Sequence, residues 1–110
     1  MAFSVIQSNS FERSYRQKIE HLVQEAHSPQ AATHLYNELQ RIADVLEVAP
    51  YIRRVSSKPF LAKRNLREFY FMNYAVVYAI DGDSVILLNL FHQSQDYGDP
   101  RYWEEQGEIN

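Results

Sequence analysis

Tyr74-Ala75-Val76-Val77-Tyr78-Ala79-Ile80-Asp81-Gly82-Asp83-Ser84-Val85-Ile86-Leu87-Leu88-Asn89-Leu90-Phe91-His92 is the stretch that decides the fold. Residues 74–80 are crowded with β-branched and aromatic side chains, which suit a pleated, half-buried surface. Asp81-Gly82-Asp83 reads as a hairpin turn, with Gly82 supplying a positive φ. Residues 85–92 form the returning arm. Their near-continuous apolar run suggests a central strand covered on both faces, although a run this short does not settle it. Upstream, residues 66–71 read as another strand. A three-stranded antiparallel sheet is therefore expected in the C-terminal half.

Working outward, residues 2–7 read as a short strand ended by Ser8-Asn9-Ser10. Asn9 followed by Glu12 looks like a capping box. A helix is expected to run to about Ala26, with Phe11, Tyr15, Ile19, Leu22, Val23 and Ala26 on one face. Ser28 suits the next N-cap and Pro29 the first helical position, where its missing N–H costs nothing. The second helix carries Ala32, Leu35, Leu39, Ile42 and Leu46 as an apolar stripe, and Pro50 closes it. So short a connection predicts an antiparallel helix hairpin. Residues 51–65 lack periodicity and read as a loop, with room for a short strand at 51–55. Helices in one block and strands in another argue for an α+β domain with the hairpin on one sheet face. The other face is expected to be partly open near the loop.

With 110 residues there is room for one domain. The hydrophobic share of 45% is ordinary globular usage. There is no cysteine, so disulfides, thiolate metal sites and a cysteine nucleophile are excluded. The N-terminus lacks the basic and apolar regions of a signal peptide, and the apolar runs are far short of a membrane span. Cytoplasmic residence without membrane partners is the expectation. No glycine-rich phosphate loop, HExxH, nucleophile elbow or EF-hand occurs. His21, His27 and His34 read as surface helix histidines, so neither metal nor cofactor is expected.

The net charge of −3 hides an uneven distribution. Residues 51–67 hold Arg53, Arg54, Lys58, Lys63, Arg64 and Arg67 and no acid. Residues 96–110 hold Asp96, Asp99, Glu104, Glu105 and Glu108 against Arg101 alone. Six like charges repel one another unless something answers them. A nucleic acid, an acidic protein segment or the acidic tail are the alternatives. His92 and Tyr97 follow the last strand. With Arg64 and Arg67 they are the residue types a metal-free ribonuclease needs: proton carriers and phosphate-holding cations.

These parts, in this order, resemble the RelE/ParE superfamily of bacterial type II toxins over residues 2–97. The resemblance rests on the serine-capped first helix from Ser8 and on Ser28-Pro29-Gln30-Ala31-Ala32 opening the second. It continues with Leu66-Arg67 leading into Asn73-Tyr74-Ala75-Val76-Val77-Tyr78, and with residues 85–92 followed by Gln95-Asp96-Tyr97. It implies a toxin domain at 1–97; the acidic tail at 98–110, read from its charge, lies outside the shared pattern. It also implies a cognate antitoxin that wraps the toxin. RelE-like members cut ribosome-bound messenger RNA, whereas ParE-like members poison DNA gyrase. RelE-like nucleases often carry an arginine after the tyrosine matching Tyr74, where this chain has Ala75. They also tend to be basic where Phe91, Gln93 and Ser94 stand here. A ParE-like gyrase inhibitor is therefore slightly favoured. The alternatives are a nuclease using His92, Tyr97, Arg64 and Arg67, or a non-toxic antitoxin-binding domain. Arg53, Arg54, Lys58, Lys63, Arg64 and Arg67 are the expected target or phosphate contacts.

Overall fold

The computed structural model describes residues 2–104. It begins with strand β1 (Ser4–Gln7) and helix α1 (Asn9–Glu20), which runs on into a π turn (His21–Glu25). Helix α2 (Pro29–Val48), a 3-10 turn (Pro50–Ile52) and the one-turn helix α3 (Pro59–Ala62) follow. Strands β2 (Arg67–Phe71), β3 (Tyr74–Asp81) and β4 (Ser84–His92) lead to the one-turn helix α4 (Arg101–Glu104).

The α+β architecture holds, but the sheet has four strands in the order β1-β4-β3-β2. The extra one is β1, which lies parallel to β4 with Val5 opposite Val85. The sheet is therefore mixed, not purely antiparallel. Placing β1 outside β4 leaves β4 central, as its apolar run suggested. Gly82 turns β3 into β4 with a φ of 58°, as expected. The turn from β2 to β3 has φ of 51° at Met72, a conformation that favours glycine. Gln93 steadies that turn by donating to the carbonyls of Met72 and Tyr74.

The cap of α1 is Ser8, not Asn9. Its Oγ accepts from the Phe11 N–H at 3.0 Å and donates to the Leu88 carbonyl at 2.9 Å, tying the helix start to β4. The apolar stripe of α1 holds through Phe11, Tyr15, Ile19 and Leu22, which join the core with α2. Val23 is 44% exposed and Ala26 is exposed, against expectation. The π turn, closed by the Ala26 N–H on the His21 carbonyl, rotates both away from the sheet. Ser28 caps α2 through the Ala31 N–H, and Leu35, Ile42 and Leu46 are fully buried. Residues 51–55 form no strand; the 3-10 turn leads to a single bridge between Val55 and Arg67.

Two cores result, one on each face of the sheet. On the helix side, Phe11, Leu35, Ile42 and Leu46 pack on Phe69, Phe71, Val76, Tyr78, Val85 and Leu90. The opposite face is not open. Leu61 from α3, with Tyr97 and Trp103 from the chain after β4, covers Ala75, Val77 and Phe91. Trp103 is 3% exposed and donates its indole N–H to the Tyr97 carbonyl at 2.7 Å. The stretch from 98 to 103 is thus part of the packed domain and not a tail. Glu105 and Glu108 lie outside the described residues.

Candidate functional site

The pleat of β2 splits the basic run. Arg67 projects to the helix side, where its guanidinium sits 5.1 Å from the Tyr51 ring and donates to the Arg53 carbonyl. Arg53 lies over the Phe69 ring at 4.2 Å on that same side. Glu68, the next residue along, projects to the other face. There it accepts from Lys58 Nζ at 2.9 Å, from the Tyr70 hydroxyl at 2.8 Å and from the Tyr97 hydroxyl. Burial would raise the Glu68 pKa. Hydrogen bonds from Ser56, Tyr97, Lys58 and Tyr70 outweigh it and hold the carboxyl below its ordinary range. Lys58 is thereby answered from within the domain. Arg64 folds over Phe60 at 3.7 Å and donates to the Phe60 carbonyl, on the α3 side, with Lys63 exposed beside it. Arg53 and Arg67 therefore lie together, Arg54 borders the cleft that also holds Arg53, Glu68 and Tyr70, and Lys58, Lys63 and Arg64 lie by α3.

Asp99 pairs with Arg101 at 2.6 Å, so it too is answered locally. Among the described residues no ion pair joins the basic run to Asp96 or Asp99.

The four candidate nuclease residues do not converge. Tyr97 is 1% exposed and stacks on Phe91 at 4.7 Å with the planes 4° apart. Burial and its bond to Glu68 push the phenol far above its ordinary pKa, so it stays protonated in the core. His92 is exposed and lies on the opposite, helix-facing side, its ring 4.8 Å from that of Tyr74. The alternation of β4 explains this: Leu90 and His92 share one face, and Phe91 has the other. Arg67 is level with Tyr78 and Leu87, so His92 stands further along the sheet. At strand spacings that is about 17 Å along and ~10 Å across. A role for Tyr97 as a proton carrier beside His92 is corrected by this geometry. A general acid and base must both reach the same reacting phosphate within hydrogen-bond distance.

Three depressions adjoin these groups. A cleft of about 190 Å³ at the β2 edge is lined by Arg53, Arg54, Val55, Ser56, Ser57, Glu68 and Tyr70. A groove of about 480 Å³ between α1 and β4 includes Ser14, Gln17, Asn89, Gln95 and Tyr102. A recess of about 290 Å³ holds Lys18, His21 and His92. Next to Arg53 in the chain, Tyr51 is 62% exposed and Ile52 51%, while Val48 at the end of α2 is 71% exposed.

The model of the ParE toxin of the type II toxin–antitoxin system parDE matches residues 5–97. This chain belongs to the ParE toxin family. A solved structure described as the chromosomal ParDE TA system from P. aeruginosa shares the fold, with a TM-score of 0.63. The match spans 82% of this chain and 95% of that one at 14% identity. No match was found among curated proteins. The family match ends at Tyr97, so Trp103 packs onto a ParE domain from beyond the matched region. Among the described residues, no helix is long and apolar enough to cross a membrane.

Two groupings escaped the sequence reading. Glu68 was hidden because a single acid next to an arginine looks like a surface pair. His21 reads from the sequence as a surface helix histidine, and nothing there sets Lys18 apart from the other charges of α1. Their spacing from His92 in sequence gives no sign that the helix end and the strand end meet. A signal for Glu68 was available: alternation in residues 67–71 sends Glu68 to the same face as Tyr70, away from Phe69 and Phe71.

Proposed function

We propose that this chain arrests bacterial growth by binding DNA gyrase in the cytoplasm, and that a cognate antitoxin neutralises it. The observation that carries this reading is the placement of His92 and Tyr97 on opposite faces of the sheet within a ParE-family domain. Such an arrangement supports binding better than phosphodiester cleavage, which needs its proton carriers around one phosphate. The surface best suited to a protein target is the group of Arg53, Arg54 and Arg67 with Tyr51 and Ile52. Arginine and tyrosine dominate interface hot spots because each combines a large apolar body with a directional polar end.

Induction from a tight promoter tests the reading, with growth, bulk protein synthesis and the DNA damage response followed together. Filamentation with a strong damage response is expected. An early stop in protein synthesis without a damage signal would instead mean message cleavage, and no growth defect would mean a non-toxic binding domain. Arg54→Ala and Arg67→Ala are expected to weaken toxicity at equal expression. Because Arg67 also braces the Arg53 carbonyl, exposed Arg54 separates lost contact from lost folding. If both variants are as toxic as the parent, the target surface lies elsewhere.

A further inference from the structure

The recess of about 290 Å³ between the end of α1 and the end of β4 is lined by Gln17, Lys18, His21, Tyr74 and His92. Three of these carry or can carry positive charge, and none is an acid. Lys18 comes from the last turn of α1, His21 from the start of the π turn and His92 from the last position of β4. Lys18 is half-buried and has no ion-pair partner among the described residues. Glu25 takes only His21, with its carboxylate 2.9 Å from Nδ1. The cluster is thus in electrostatic conflict. Burial lowers the pKa of Lys18. Burial, then the charges of Lys18 and His21, lower that of His92.

We propose that this recess anchors a single carboxylate side chain of an acidic peptide segment, held among Lys18, His21 and His92. Three considerations select that occupant. One negative group placed there answers Lys18, which has no ion-pair partner among the described residues, and faces both imidazoles at once. A nucleic-acid strand, with a charge about every 3.4 Å, would bring a second phosphate towards Glu25, whose carboxylate sits 2.9 Å from His21 Nδ1. The recess shares Gln17 and Lys18 with the groove of about 480 Å³, where the Gln95 side-chain NH2, its Oε1 already taken by the His92 N–H, offers a donor for a peptide main chain. That the carrier is the antitoxin rests on the toxin reading above; the anchor itself does not.

Anchoring is linked to protonation. The groups that face His92 are Lys18 and His21 on α1 and its π turn, and Tyr74 on β3. A bound carboxylate favours the charged imidazole, so the His92 pKa rises on binding and affinity increases as pH falls. The test is an NMR titration of the histidine ring protons of the full chain. It is run with hexaglutamate peptide, with a single-stranded hexanucleotide and with sodium chloride at matched ionic strength. Hexaglutamate is expected to raise the His92 pKa by about one unit, equivalent to about tenfold tighter binding on the acid side of the transition. Lys18→Met, which keeps the aliphatic stem, is expected to abolish most of that rise. Exposed His21→Gln is expected to reduce it, and carries the test if Lys18→Met does not fold. No rise beyond that in sodium chloride overturns the proposal. So does an equal or larger rise with the hexanucleotide, or a rise untouched in the folded variants. A failed growth assay would leave this titration unchanged, so the two readings fail separately.

Discussion

Tyr97 donates to a carboxylate that also receives Lys58 and Tyr70, and all three bonds converge on one Glu68 oxygen. Removing the hydroxyl alone, by Tyr97→Phe, keeps the ring on Phe91. It should cost about 1.5–3 kcal/mol, the range for hydrogen bonds to charged groups, read by urea unfolding. Toxicity at equal expression should persist, because the residue never meets solvent. Glu68 also sets an acid limit. Its pKa in the folded chain lies below the ordinary 4.5, so the unfolded chain binds more protons in the window beneath that value. The stabilisation is therefore present above pH 4.5 and is lost as pH falls through the folded pKa. Asp99, held down to about 2 by Arg101, extends the same sign of effect lower. Glu68→Gln should flatten the upper part of the acid branch in a pH series of unfolding curves. An unchanged slope there would mean that the network does not hold the ionised form.

At the scale of elements, caps and turns carry the distinctions that periodicity leaves open. Asn9 and Ser8 were both eligible to begin α1, since each is a good N-cap type followed by a helical pattern. Ser8 wins because its hydroxyl also reaches the Leu88 carbonyl on β4, a bond available only once helix and sheet have met. Ser8→Ala should cost about 1–2 kcal/mol, whereas Asn9→Ala, at an exposed helical position, should be near neutral. Denaturant midpoints of the two variants check the assignment. The β2–β3 turn offers the converse test. Met72 is 41% exposed and holds a positive φ without a glycine's freedom. Met72→Gly should raise stability by up to about 1 kcal/mol through relieved strain. The helices themselves were legible because the stripe of α2 is regular from Ala32 to Leu46. The π turn was not, because one residue of extra winding leaves composition unchanged while turning Val23 outward.

Across the whole molecule, the second core carries the packing past the region matched by the family. Trp103 makes an edge-to-face contact with Phe91 at 5.4 Å and stacks on Phe60 at 6.3 Å, from six residues beyond the family match. Trp103→Ala should therefore cost about 3–5 kcal/mol, as for other buried tryptophans, and a chain ending at Tyr97 should melt lower still. A melting temperature unchanged by that substitution would restore the boundary at Tyr97. By itself, the amino-acid sequence determined the two helices, the three C-terminal strands and the hairpin at Gly82. Each of these follows from local periodicity, turn chemistry or a run of apolar residues. Only the tertiary structure decided the rest. β1 lies parallel to β4 because a short strand can pair with either edge, and the packing of α1 selects one. The basic run divides because the pleat sends Arg67 and Glu68 to opposite faces. Tyr97 leaves His92 and enters the core because the chain turns under the sheet after β4, where burial of Phe91 and Trp103 outweighs any local preference.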